Sequence, residues 1–509
     1  MNKKFKIIYS VIFMAICTVP LLLMPFFKND ISLEKRELTE FPSFISEGKL
    51  NVDFSGQFES WVNDRIPFRA CILSAANYVK ADMFEAASSN VISGKDGWLY
   101  FESEAADYMN TNAVSDHEVK SSAVTLSLMQ ESVEAKGGHF TFVTAPNKAS
   151  VYEENMPSRY KRSEVNNLTR ITDEAKKLGV NVTDLRSVLR DNKDKDLYHV
   201  RDSHWNYQGA LLGYNAIMDS LGRDHDSHEG AEYTKEKTWR GDLDKLLYPA
   251  GGFMDYQYNY NIRHNKFMFT VPAGVKDAEA QLESFMSDKE QGDDLFSTRN
   301  LEKNDGSRLF MARDSFGRAL LPYMIDSYSE VTFKRTDCPD ITSLADGTDV
   351  VYEIVERNLN KVIAKAPFMY APQRQEIAAS YTDGKYTSGS EAKLTYEALG
   401  YAGRIYGVLP EDMEDGDGRV YILLEKSGET LCYEAFPIYE AELLEADTEE
   451  NREADIDNNS EAETAEDKSF KESRNGFSAY ISKDENLKGQ YQVSIIAGDK
   501  TYAAGNIEF

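Results

Sequence analysis

Apolar and polar positions change their period three times along this chain, and each change marks a candidate boundary. Ile7 to Phe27 form a nearly unbroken apolar run behind Lys3, Lys4 and Lys6. At about 1.5 Å per helical residue, such a run crosses a hydrocarbon core of about 30 Å, and the lysines keep its start on the cytoplasmic side. No small-x-small site closes the run, which predicts an uncleaved signal-anchor over residues 1–29 and an exported remainder; cleavage would instead release the protein. Phe54, Phe58, Trp61 and Val62 then recur at helical spacing ahead of Pro67, which predicts an amphipathic helix. Val91 to Phe101 reads as a hairpin around Gly94 and Gly97.

From Ser115 onward helical and strand-like periods alternate. Ser115 and Glu118 have capping-box spacing, and Gly137-Gly138 closes the helix that follows. Further helices are predicted over 163–178, 184–190, 206–221 and 316–327, with strands over 139–144, 180–182, 308–312, 330–333 and 349–355. Strands separated by helices require crossover connections, so residues 30–366 predict an α/β domain with a largely parallel sheet flanked by helices. Residues from about 222 to 307 sustain no period and read as an insertion of loops or a β-rich cap. After Pro367 short alternating runs such as Arg419 to Leu424 predict an all-β module over 367–509, a sandwich.

Charge sharpens this picture. The net charge of −28 argues against a nucleic-acid partner, which would be repelled. Part of it is local: between Glu442 and Lys468 twelve acidic residues face two basic ones, which predicts a solvated, disordered loop over about 442–472. Cys17, Cys71, Cys338 and Cys432 have neither CxxC nor metal-ligand spacing and read as scattered buried thiols. His225 and His228 lie in a short polar run that reads as a solvated turn, and no metal site is expected.

Two distant segments carry the chemistry. Arg313-Asp314-Ser315-Phe316-Gly317 follows the apolar run Leu309 to Ala312, which sets Ser315 on a strand-to-helix turn facing a helix N-terminus. Asp202-Ser203-His204-Trp205 supplies a histidine with an aspartate two residues earlier, the material for a base and the group that orients it. On pattern alone the same residues are equally a structural serine and a satisfied core histidine. Asn147-Lys148, the serine turn and Glu356-Arg357 each follow a predicted strand and should crowd one sheet edge. Arg313, Asp314 and the Glu356-Arg357 pair read as support for that edge.

These residues, with Asn206 and Gly209-Ala210, resemble the DHHW family and the related alginate O-acetyltransferases with SGNH-hydrolase-like domains. Asn63-Asp64-Arg65-Ile66-Pro67, Gly94 to Leu99, Ala145 to Lys148, Gly241-Asp242-Leu243 and Val355 to Asn358 extend the resemblance over residues from about 35 to 360. It implies a membrane-tethered, exported enzyme that moves acetyl groups onto a polysaccharide. Its acetyl donor would arrive through a membrane-bound O-acyltransferase partner, it would need no cofactor, and its C-terminal module would bind carbohydrate. The implied catalytic residues are Ser315, His204 and Asp202. The oxyanion would meet the N–H groups of Ser315 and Phe316 with Asn147, and Lys148, Arg313, Trp205 and Arg357 are the remaining candidate substrate contacts. Ser203 stands in place of the first namesake histidine, and Arg313 stands where ordinary SGNH esterases carry glycine. A carbohydrate acetylesterase with the same triad and a non-catalytic glycan-binding protein are the alternatives.

Overall fold

The computed structural model describes residues 3–24, 26, 39–46, 49–84, 90–270, 295–364, 366–410, 416–438 and 475–509. Among the described residues the central sheet has seven strands: β1 (Phe140–Ala145), β2 (Val182–Thr183), β3 (Phe267–Thr270), β4 (Leu295–Asn300), β5 (Arg308–Arg313), β6 (Glu330–Arg335) and β7 (Thr348–Val355). They lie in the order β2-β1-β7-β5-β6-β4-β3. The five strands β2, β1, β7, β5 and β6 are parallel, whereas β4 and β3 extend the sheet antiparallel from β6. The sheet is therefore mixed: the expected parallel arrangement holds over five strands and ends in an antiparallel edge that was not expected. The antiparallel strands come from the aperiodic 222–307 stretch, so part of that stretch is sheet edge rather than cap; its residues 271–294 lie outside the described ones.

Every residue of β1 and β7 is buried, as expected of parallel strands covered on both faces. Their side chains alternate between two cores. Val143, Met311 and Val351 point to one, built with α3 (Leu185–Asp191) and α4 (Tyr207–Ser220). Phe142, Phe310 and Val350 point to the other, built with α1 (Asp116–Ala135) and α2 (Asn167–Lys177). The predicted capping box is formed at α1: Glu118 N–H donates to Ser115 Oγ, and Ser115 N–H to Glu118 Oε2 at 2.7 Å. The expected helix over 316–327 is instead a 3-10 turn, Gly317–Leu320, and one α-turn, Leu321–Met324. Pro322 supplies no N–H and clashes with the preceding turn, so a regular helix cannot run through it. Ser315 therefore faces no long helix.

Among the described residues the C-terminal module is one continuous sheet of β8 (Thr387–Glu391), β9 (Lys393–Ala398), β10 (Ala402–Val408), β11 (Val420–Lys426), β12 (Glu429–Ile438), β13 (Gly476–Ser482), β14 (Gln490–Ala497) and β15 (Lys500–Glu508). Its order is β8-β15-β14-β11-β12-β13-β10-β9. Strand β12 pairs with β11 through Glu429–Ala435 and with β13 through Phe436–Ile438, which curls the sheet around Ile405, Ile422, Tyr433 and Ile495. This curled half-barrel replaces the expected sandwich; alternation identifies a buried face but not whether a second sheet or the same one covers it. The module seats on α1: Arg374 grips Glu131 with both terminal nitrogens and donates through Nε to the buried Glu434. The acidic loop expected over 442–472 lies outside the described residues.

At the N-terminus Lys3–Leu23 is helical, the amphipathic helix spans Phe54–Arg65, and Val91–Ser93 pairs with Leu99–Phe101 as predicted. Among the described residues no helix is long and apolar enough to cross a membrane. Of the thiols described, Cys432 is buried but Cys71 is exposed. His225 and His228 pack their rings against Tyr214 rather than standing in solvent.

Candidate active site

The two segments meet at the carboxyl ends of the strands. His204 Nε2 lies 2.9 Å from Ser315 Oγ, and His204 Nδ1 lies 2.7 Å from Asp202 Oδ1. Asp202 is fully buried, and four N–H groups address its two oxygens. Oδ1 accepts from the backbone N and Nδ1 of His204; Oδ2 accepts from Trp239 Nε1 and Asp242 N, each at 2.9 Å. Burial works to raise this carboxyl, but the bonds and charge of His204 outweigh it and hold the group well below the usual carboxylate range. An ionised Asp202 keeps the imidazole proton on Nδ1, which leaves Nε2 to accept the proton of Ser315.

Each partner is held from below. Asn206 caps α4 through the Gln208 and Gly209 N–H groups and so fixes where the Asp202 segment ends. Beneath Ser315, Asp314 Oδ1 accepts from Phe316 N and Oδ2 from Val355 N, while Asp314 N donates to Glu353 Oε2. Glu353 is buried, and its carboxyl is pushed well above the usual range by burial and the charge of Asp314. Trp205 Nε1 closes the turn with a bond to Phe316 O.

The remaining candidates separate. Lys148 is completely buried and donates to the carbonyls of His199, Val200 and Asp202, so it holds the aspartate segment and cannot reach substrate. Arg313 is buried under the turn and donates to Asp314 O; Trp205 is buried as a brace. Asn147 is also buried, with its N–H on Glu356 and its amide on Asp107. The Phe316 N–H is taken by Asp314, which removes it from the expected oxyanion hole. Glu356 bonds Asn147 and Asn166 and makes no ion pair with its neighbour Arg357, contrary to the expected supporting pair; Arg357 is half-buried over the Phe101 and Phe316 rings.

Sequence reasoning gave no role to Trp239 and Asp242, which arrive on a hairpin of Tyr233–Trp239 and Asp255–Tyr260 with the helix Asp242–Leu247 between its strands. The signal was Gly241-Asp242-Leu243. A Cβ at Gly241 would sit 2.1 Å from Arg201 O, so only glycine lets this loop touch the aspartate segment. Asp242 accepts from the backbone and hydroxyl of Ser203 and lies 3.5 Å from His204 Nδ1. Burial, then the charge of Asp202, pushes its carboxyl up to about 6. Asp202, His204 and Asp242 are clustered closely enough to hold a cation. The N–H donors already aimed at Asp202, however, suit proton positioning rather than metal ligation. Ionised Asp242 favours a charged imidazole. Asp242→Asn is therefore expected to shift the acid limb of the pH–kcat/KM profile to lower pH, as a titration of esterase rate against pH would record.

Residues 91–296 match the family described as ALGX, SGNH hydrolase-like domain, acetyltransferase AlgX. Over those residues the chain is similar to an AlgX-type SGNH hydrolase-like acetyltransferase domain. The matched stretch includes Asp202 and His204, and Ser315 lies beyond its end. Among solved structures similar to this chain, a DHHW family protein from Eubacterium siraeum is 16% identical, over 54% of this chain and 93% of its own, with a TM-score of 0.40. The O-acetyltransferase domain of Pseudomonas putida AlgJ is 15% identical over 53% and 92%, with a TM-score of 0.36. Pseudomonas aeruginosa AlgX is 11% identical over 86% and 94%, with a TM-score of 0.34. No curated protein matches the chain.

Proposed function

We propose that the AlgX-type domain transfers acetyl groups to hydroxyls of an exported polysaccharide through an acetyl-serine. The hydrogen-bonded chain Asp202–His204–Ser315 carries this reading, because it pairs a nucleophile with an oriented base. His204 Nε2 takes the Ser315 proton as Oγ attacks the carbonyl carbon of an acetyl ester. Collapse of the tetrahedral species breaks the bond to the donor oxygen; the donor alcohol departs with that proton, and the acetyl group stays on Ser315 Oγ. An acceptor hydroxyl then gives its proton to Nε2 and attacks the acetyl carbon, and Ser315 recovers the proton as it departs. The acetyl donor is supplied by a membrane-bound O-acyltransferase partner, and Lys3–Leu23 tethers the enzyme with its active site on the extracytoplasmic side. Transfer rather than hydrolysis requires an acceptor bound well enough to displace water.

Incubation of the full chain with 4-nitrophenyl acetate and a panel of oligosaccharides tests the reading. Acetylated sugar that accumulates at the expense of free acetate supports transfer; acetate alone, at a rate indifferent to every acceptor, would make the protein an acetylesterase.

A further inference from the structure

The site as built lacks a partner for the negative charge its chemistry must create. Attack by Ser315 turns a carbonyl oxygen into an oxyanion, and acyl-transfer sites aim preorganised donors at that oxygen. Here the nearest donors of the turn are spent: Phe316 N–H is held by Asp314 Oδ1 at 2.8 Å, and the amide of Asn147 is buried against Asp107. Among the described residues no hydrogen bond takes the N–H of Ser315 itself, which leaves one backbone donor.

Arg357 stands where a second donor is needed. It is the second residue after β7, which lies between β5 and β1, with Tyr352 in register with Ala312 and Val355 with Ala145. The carboxyl end of β7 therefore emerges beside the Ser315 turn. The Arg357 guanidinium carbon is 5.5 Å from the centre of the Phe316 ring, and the His204 ring centre is 4.7 Å from the same ring. Base and guanidinium thus share one buried aromatic residue, the neighbour of the nucleophile.

Its hydrogen-bonding state is the second observation. Arg357 is half-buried and its Nη1 is shut off from solvent, yet among the described residues that nitrogen has no hydrogen-bond partner. A closed-off guanidinium N–H without a partner is uncommon in folded proteins and asks for an explanation. The adjacent Glu356 spends its oxygens on Asn147 N and Asn166 Nδ2. The buried carboxyls of Glu104 and Asp107 feel the guanidinium charge, yet neither forms a salt bridge with it. Burial raises both carboxyls, and neither occupies the guanidinium N–H groups, which leaves a donor held ready for a transient anion.

We propose that Arg357 binds the oxyanion formed when Ser315 attacks an acetyl ester, together with the Ser315 N–H. The proposal rests on Ser315 being the nucleophile and adds to that reading the group that stabilises its transition state.

Stopped-flow acetylation of the full chain by 4-nitrophenyl acetate tests it with Arg357→Ala, Arg357→Lys and Ser315→Ala in parallel. Arg357→Ala should slow acetylation by roughly 10²–10³-fold with a KM within about threefold of the parent, and Arg357→Lys should recover part of the rate. A tetrahedral anionic mimic separates this from a merely structural role. The inhibition constant of phenylboronic acid, which adds to a serine as an anion, should rise by roughly 10²-fold in Arg357→Ala, while the KM for the neutral ester stays near that of the parent. Parental acetylation rates in Arg357→Ala, unchanged boronate inhibition, or a defect confined to the acceptor KM would overturn the proposal. Undiminished acetylation in Ser315→Ala would instead remove the nucleophile reading on which it stands.

Discussion

His204→Ala is expected to reduce acetyl transfer by roughly 10⁶-fold in kcat while the protein stays folded, as steady-state release of 4-nitrophenol would show. The imidazole is the only group hydrogen-bonded to both Asp202 and Ser315 among the described residues, and without it the serine hydroxyl has no base at 2.9 Å. Its loss removes an interaction needed in each half-reaction, so KM should change far less than kcat. The fold should tolerate the change, because His204 lies at the partly open edge of the site, where its ring meets the core at Phe316, and Phe316 stays packed against Trp205 and Tyr198. The caps and braces on either side, Asn206 and Trp205, remain in place.

Lys148→Met should do the opposite and lower stability together with activity. Three carbonyls, those of His199, Val200 and Asp202, lose their donor in a place water does not reach. Buried acceptors left unsatisfied cost about 3 kcal/mol or more together, and the aspartate segment they hold would shift away from His204. Chemical denaturation should record the lost stability, and esterase rates the lost activity. A pH signature goes with it. Burial lowers the Lys148 amine from 10.5 to about 8, the nearby carboxylates opposing the shift. Between those two values the unfolded chain binds the proton that the folded chain has lost, so this group makes folding stability rise with pH across that window. The rise should be missing from Lys148→Met when denaturation midpoints at the two ends of the window are compared.

Much of this was legible in the chain. The capping box at Ser115, the mainly apolar, β-rich run from Asp349 to Val355 and the serine placed just after an apolar strand are local patterns, and local patterns survive folding. So did the pairing of Asp202 with His204, two residues apart. What escaped was set by contacts that no period encodes. Trp239 and Asp242 reach Asp202 through a hairpin whose first strand is nearly all exposed, so it shows no apolar face. Lys148 looked like a substrate contact because it follows a strand, but its burial depends on where the 199–202 segment crosses above it. Phe316 had the right position for an oxyanion donor, and Asp314 two residues earlier claimed its N–H. The antiparallel edge of the sheet was missed because it is drawn from the aperiodic 222–307 region, where strand direction depends on tertiary context.

Covalent acetylation of Ser315 is the central claim, and mass spectrometry of the acid-quenched protein after brief exposure to 4-nitrophenyl acetate tests it most directly. The account predicts one added acetyl group, found on the peptide that contains Ser315, absent from Ser315→Ala and released when an acceptor is supplied. Turnover by the parent with no acetyl on that peptide, or equal labelling of Ser315→Ala at another residue that discharges to acceptor, would contradict it.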